Sequence, residues 1–99
     1  MNFSPDVSDF LYLLFKNKVQ YLIVGGEAVI YYGYARLTGD IDIYYDQSKV
    51  NTQKLFSCLN EFWENDIPGI KSPEELERDG IVIQYDIPHS RIDLNNNNY

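Results

Sequence analysis

Two aspartates separated by one residue are the first feature of this sequence that could carry chemistry. Asp40 and Asp42 lie in a segment, Asp40-Ile41-Asp42-Ile43, that alternates strictly between acidic and apolar residues. Such alternation is typical of a half-buried strand, on which residues i and i+2 project from the same face. Two carboxylates this close repel each other unless they share a cation or a proton. The pair therefore predicts a site for a divalent cation with oxygen ligands, Mg²⁺ or alternatively Mn²⁺.

A third aspartate and a pair of glycines could complete such a site. Asp93 follows an apolar residue in another predicted strand, and a suitable register would bring it beside Asp40 and Asp42. The alternatives for Asp93 are an exposed strand carboxylate or a salt bridge to Arg91. Gly25-Gly26 stands between a predicted strand and a predicted helix start, where a backbone without Cβ atoms can approach phosphate oxygens. A carboxylate metal site beside a phosphate cradle predicts phosphoryl or nucleotidyl transfer, although Gly25-Gly26 alone could be an ordinary turn.

The first half of the chain contains the elements that must position these residues. Ser4-Pro5-Asp6 is a helix start, and an apolar stripe at helical spacing continues to about residue 17. A short apolar run over residues 20–24 predicts a buried strand at the centre of the sheet. We expect a short helix over 27–32 that Gly33 ends, a loop over 34–39 and a strand over 40–46.

The second half predicts the remaining elements. Ser48 or Asn51 could cap a long amphipathic helix that ends before residue 66, and Ser72 with Glu75 forms a capping box for a short turn. Residues 81–85 and 91–94 predict two strands, with a hairpin as one possible connection. The order of elements indicates an α/β or α+β fold, a small mixed sheet flanked by helices. We expect one domain over residues 1–94 and an Asn-rich, disordered tail over 95–99.

Composition limits the classes of function. The 99 residues are 44% apolar, which is enough for the core of one domain, and the net charge of -7 disfavours unaided binding of nucleic acid. No apolar run is long enough to cross a bilayer, and the N-terminus lacks the basic start of a signal peptide, so we expect a cytoplasmic protein without membrane contact. Cys58 is the single cysteine, which excludes an internal disulfide, and its position on the apolar side of a helix favours a core role.

The spacing of the glycines and the acidic pair resembles a known signature. Gly25-Gly26, thirteen intervening residues and then Asp40-Ile41-Asp42-Ile43 look like the motif of the DNA polymerase β-like nucleotidyltransferase superfamily. The longer strings over residues 24–29 and 33–43 are similar to a bacterial branch of that superfamily. This branch includes the minimal nucleotidyltransferases of abortive-infection and toxin–antitoxin systems. The resemblance covers most of the chain, from the first helix to Asp93.

The resemblance implies a nucleotidyltransferase fold and a Mg²⁺-dependent enzyme. Such an enzyme transfers an NMP group from an NTP to a hydroxyl group of an RNA, a protein or a small molecule. The third acidic residue of the superfamily also helps to activate the acceptor hydroxyl. The roles implied here are phosphate binding by Gly25 and Gly26, phosphate binding or active-site ordering by Arg36 and Thr38, and metal binding and catalysis by Asp40, Asp42 and Asp93.

A second function, from a different class, stays open. Members of the superfamily generally continue beyond the third acidic strand with helices that often shape the base or acceptor pocket, whereas residues 95–99 are all that follows here. The chain could therefore be a catalytically impaired binding or regulatory module, such as an antitoxin-like partner of another protein. Its acidic composition favours a protein partner, a homo-oligomer or a small acceptor over unaided capture of RNA.

Overall fold

The computed structural model describes residues 7–24, 27–31, 34–87 and 90–96, with side chains described outside residues 24–40 and 87–90. Two α-helices, a short 3-10 helix and five strands lie in these ranges. In chain order they are α1 (Val7–Lys16), β1 (Tyr21–Val24), β2 (Glu27–Tyr31), β3 (Tyr34–Tyr45), α2 (Lys49–Phe62), the 3-10 helix (Pro73–Glu77), β4 (Val82–Ile87) and β5 (Ser90–Asn95).

The strands form a mixed sheet in the order β1-β3-β5-β4, and β2 pairs separately with β3. Only β3 and β5 run parallel, whereas β1, β2 and β4 pair antiparallel with their neighbours. The prediction of a small mixed sheet with helices is confirmed at this level. No helix in the described ranges is both long and apolar enough to cross a membrane.

One face of the sheet packs against the two helices to form the core. The alternation predicted for β3 is confirmed, since Ile41, Ile43 and Tyr45 are buried while Asp42 and Tyr44 are only partly so. Helix α1 and helix α2 meet through an edge-to-face contact of Phe10 and Phe62, whose ring centroids are 5.2 Å apart. Other core residues include Leu14, Leu55, Leu59, Leu76, Ile92 and Leu94.

A buried asparagine joins helix α2 to the ends of two strands. Ser48, one of the two predicted caps, caps α2. Its hydroxyl accepts a hydrogen bond from the Asn51 backbone N–H. The Asn51 side chain instead turns to the sheet: its Oδ1 accepts from the Gln20 N–H at 2.6 Å. Its Nδ2 donates to the carbonyls of Gln20 at 3.1 Å and Asp46 at 2.6 Å. Asn51 thereby satisfies backbone groups just before β1 and just after β3.

The helix predicted over residues 27–32 and the loop over 34–39 are wrong. Glu27–Tyr31 forms strand β2, which pairs with the first part of β3 from Glu27 opposite Thr38 to Tyr31 opposite Tyr34. The β-branched and aromatic residues of this segment favour a pleated strand, and a six-residue helix has little stability of its own. Gly33, the predicted end of that helix, lies outside the described residues.

The prediction that the first strand is central is also wrong. Strand β1 lies at one end of the β1-β3-β5-β4 order, and β3 and β5 occupy the middle. Leu22 and Ile23 are 52% and 47% exposed, as suits an edge strand. A short apolar run does not reveal whether one edge or both edges of a strand are paired.

The C-terminal half follows the sequence pattern more closely. Strands β4 and β5 form the predicted hairpin, with Ile87 opposite Ser90, and the Glu75 carboxylate accepts from the Ser72 N–H at 3.0 Å as its capping box predicts. The Ser4-Pro5-Asp6 helix start lies outside the described residues, and α1 is described from Val7.

The structure differs from the predicted tail at its first two residues. Asn95 ends β5, and Asn96 is buried. The Asn96 side chain accepts from the Gly80 N–H at 2.9 Å and donates to the carbonyls of Arg78 at 2.6 Å and Leu76 at 3.3 Å. An asparagine amide can satisfy loop backbone groups in this way, so its polarity does not exclude burial. Residues 97–99 lie outside the described ranges.

The Asn51 network predicts a large effect of a single amide. Asn51→Ala should lower the free energy of unfolding by about 2–4 kcal/mol, because the partly buried Gln20 N–H and Asp46 carbonyl lose their Asn51 partners. Urea denaturation measures this change. The control is Gln53→Ala, an exposed amide on the same helix, which should stay within about 0.5 kcal/mol of the unsubstituted protein. Equal effects of the two substitutions would contradict the role of Asn51.

Candidate functional site

The parallel pairing of β3 with β5 brings two of the candidate aspartates together. Asp42 and Asp93 are register partners, and neighbouring strands lie about 4.8 Å apart. Because side chains alternate between the faces of a strand, Asp42 and Asp93 lie on the face opposite the helices. The register pairs on either side of them are buried in the core: Ile41 with Ile92 and Ile43 with Leu94. The candidate site required Asp93 to lie beside Asp40 and Asp42, and Asp93 does lie beside Asp42.

Strand β1 extends this row of residues across the sheet. Its last residue, Val24, is the register partner of Asp42 on the side opposite Asp93. Gln84 of β4 is the partner of Asp93 on the far side. Gly25-Gly26 follows Val24 directly in the chain and lies outside the described residues, as do its contacts. The end of β1 therefore leads into the glycine pair from a position beside Asp42.

Three other candidates are described only by their backbone. Asp40 lies in β3, two residues before Asp42, and its register partner in β5 is Arg91. Arg36 and Thr38 lie in the part of β3 that pairs with β2, not in a loop. The side chains of these three residues lie outside what the structure describes, so convergence of Asp40 with Asp42 and Asp93 stays a prediction.

An arginine contacts the third carboxylate of the candidate site. The Nε atom of Arg91 lies 3.2 Å from Oδ1 of Asp93, and the two side chains are 39% and 13% exposed. Both contacting atoms are inaccessible to solvent. The salt bridge that the sequence left as an alternative for Asp93 is therefore present.

Arg91 is the residue whose importance sequence reasoning underestimated. Arg91 and Asp93 have the same i, i+2 spacing as Asp40 and Asp42, which places two side chains on one face of a strand. Applied to the second acidic strand, that spacing would have assigned Arg91 to the face that carries Asp93. The register of β5 against β3 also sets Arg91 opposite Asp40 in the backbone ladder.

The donor chemistry of the Asp42 and Asp93 pair suits Mg²⁺. This ion commonly binds one or two carboxylates and completes its shell with water and substrate phosphates. Among the side chains that the structure describes, which exclude that of Asp40, no group of three His, Cys, Asp or Glu residues could hold a metal ion. Two aspartates are thus the candidate ligands in the described part of the chain.

Cys58 takes the core role that the sequence favoured. Its side chain is fully buried in helix α2, and burial raises the pKa of the Cys58 thiol from its usual 9.0 to about 12. A thiol that stays protonated at neutral pH is a poor nucleophile. Cys58 therefore contributes packing and no covalent chemistry to the site.

Comparison of the chain with protein-family models, curated proteins and solved structures finds no match. The resemblance to nucleotidyltransferases thus depends on the motif residues themselves.

The buried thiol should be chemically silent in the native protein. At pH 8, Cys58 should react with a thiol reagent at least about 100-fold more slowly in the native protein than in urea-unfolded protein, because it is both protonated and inaccessible. Absorbance of the released chromophore measures the rate. The protonated thiol contributes stability below about pH 9, and this contribution is lost as the pH rises from 9 towards 12. Rapid native reaction at pH 8 would contradict the burial of Cys58.

Neutralising one member of the aspartate pair should not harm the fold. Asp42→Asn should leave the free energy of unfolding unchanged or raise it by up to about 1 kcal/mol in metal-free buffer, because it removes repulsion between like charges on paired strands. The control is Asp66→Asn, at an exposed loop position. Urea denaturation of both variants gives the comparison. Clear destabilisation by Asp42→Asn alone would instead assign its carboxylate a structural ion pair.

Proposed function

We propose that this protein is a Mg²⁺-dependent nucleotidyltransferase that transfers an NMP group from an NTP to a hydroxyl acceptor. One observation supports this function above the others. Three neighbouring strands put the end of β1, Asp42 and Asp93 in a single row across the open face of the sheet. The glycine pair of the motif follows the end of β1 in the chain. Asp42 and Asp93 are two of the acidic residues that the resemblance assigns to the site.

The phosphates of the NTP would bind where β1 ends. Gly25 and Gly26 have no Cβ atoms, so their backbone N–H groups can come within hydrogen-bonding distance of phosphate oxygens. The motif resemblance assigns Arg36 and Thr38 to phosphate binding or to ordering of the same region. A phosphate chain that begins at the glycine pair would pass beside Asp42, the register partner of Val24.

The aspartates would hold the cation and accept a proton. In this proposal Asp40, Asp42 and Asp93 are the ligands of Mg²⁺ or Mn²⁺, which when bound neutralises phosphate charge and orients the reacting groups. The acceptor oxygen forms a bond to the α-phosphorus, the bond from that phosphorus to the leaving pyrophosphate breaks, and the hydroxyl proton passes to Asp93.

The charge of the chain bears on the class of acceptor. A net charge of -7 repels RNA, which is usually held by clustered Lys and Arg side chains. A hydroxyl group of a protein or of a small molecule therefore fits better than RNA captured without help. A basic partner protein would reverse this preference.

The Arg91–Asp93 ion pair favours a second function. Arg91 already neutralises Asp93, one of the two described carboxylates of the site, without a metal ion. Strand β2 also stands where the sequence predicted a helix that would point its N–H groups at phosphates. Both features fit a catalytically impaired module that binds or regulates another protein, in the manner of an antitoxin.

Calorimetric titration of NTPs with and without Mg²⁺ separates the two functions. The enzyme should bind at least one NTP only when Mg²⁺ is present, and Asp42→Asn should weaken that binding by at least about tenfold because a carboxylate ligand is lost. Asp66→Asn should bind like the unsubstituted protein. Absence of Mg²⁺-dependent NTP binding, or undiminished binding by Asp42→Asn, would favour the regulatory module.

A further inference from the structure

Asp93 is a poorly hydrated carboxylate with a permanent cation beside it. Its side chain is 13% exposed, its Oδ1 is shielded from water, and its register partner Asp42 carries a second negative charge. Burial of a carboxylate and a like charge beside it both cost free energy unless an opposite charge compensates them. A positive charge in contact offsets that cost, and Arg91 supplies it at 3.2 Å.

We infer that Arg91 is the resident counter-cation of Asp93, and that a divalent cation binds this carboxylate by displacing the guanidinium group. The inference rests on the proposed function for the identity of the cation. It makes Arg91 a positioning residue, which in the metal-free protein holds the Asp93 carboxylate through the contact at 3.2 Å. It also lowers the apparent affinity of the site for metal.

The geometry explains why the two cations compete. Mg²⁺ requires its oxygen ligands at about 2.0–2.1 Å, so a bound ion at Asp93 would crowd and repel a guanidinium group that contacts the same carboxylate. Arginine does not lose its proton in proteins, so in this proposal its side chain moves away when the ion binds. Arg91 is 39% exposed, so its guanidinium group has a path into solvent.

The first test measures stability in the presence of a chelator. Arg91→Gln should lower the thermal midpoint by about 4–8 °C, since Asp93 is left charged and poorly hydrated. The control is Arg78→Gln, which removes the same charge at an exposed position and should shift the midpoint by less than about 2 °C. Equal midpoints for the two variants would overturn the counter-cation role.

The second test measures binding of Mn²⁺ alone, by electron paramagnetic resonance of the free ion. Arg91→Gln should bind Mn²⁺ about tenfold more tightly than the unsubstituted protein, and Arg78→Gln should not. If the unsubstituted protein binds Mn²⁺ and Arg91→Gln binds it equally well or more weakly, the inference is overturned and the proposed function is unaffected. Binding by Arg91→Gln alone would support the inference, and binding by neither protein would overturn it. In both cases the NTP titration decides the proposed function, because substrate phosphates also ligate the ion.

A third variant keeps the inference testable if Arg91→Gln fails to fold. The double substitution Arg91→Gln with Asp93→Asn removes both charges and keeps similar shapes. It should recover most of the lost midpoint, because the carboxylate charge that Arg91 opposes is removed together with Arg91. A double variant as unstable as Arg91→Gln would show that Arg91 acts through packing, which would overturn the inference.

Discussion

The parallel pairing of β3 with β5 is the constraint on which the candidate site depends. Ile41 and Ile43 of β3 are buried beside Ile92 and Leu94 of β5, and this apolar block disfavours a slip of one residue between the strands. Such a slip in either strand would turn its charged residues toward the helices and its apolar residues toward the opposite face. The hydrophobic core on one face therefore keeps Asp42 and Asp93 together on the other. The packing energy of the core maintains a charge arrangement that would be unfavourable on its own.

That arrangement has a cost, and the local sequence shows how the cost is offset. Two carboxylates at partner positions repel each other, and the low exposure of Asp93 increases the penalty. Arg91 lies two residues before Asp93 on the same strand, so the same alternation that creates the problem also delivers the opposing charge. A partly exposed arginine can leave the carboxylate, whereas a fully buried one would be held there. The ion pair is thus compatible both with a metal-free binding module and with an enzyme that exchanges one cation for another.

The parts of the fold that could be predicted are those set by local physics. The alternation over Asp40 to Tyr45, the cap at Ser48 and the capping box of Ser72 and Glu75 each depend on residues within one turn or one strand. The register that pairs Asp42 with Asp93 could not be predicted, because it results from pairing between distant segments of the chain. The candidate site only required that such a register exist. Strand β2 was missed since a short run of apolar and aromatic residues suits a helix or a strand until its partner is known. The burial of Asn96 was missed for a similar reason, because its partners at Leu76, Arg78 and Gly80 are provided by another loop.

The position of Val24, the last residue before the glycine pair, depends on an interaction at the opposite end of β1. Asn51 binds Gln20 and Asp46, and the Asp46 N–H donates to the Gln20 carbonyl at 3.2 Å, so the start of β1 is tied to the end of β3. From that point the antiparallel ladder runs from Tyr21 opposite Tyr45 to Val24 opposite Asp42. A shift of one residue in this ladder would put a different residue opposite Asp42 and displace the end of β1 along β3 by about 3.3 Å. Under the proposed function, in which metal and phosphate sites tolerate only small displacements, the buried amide of Asn51 helps to align the end of β1 with the acidic residues.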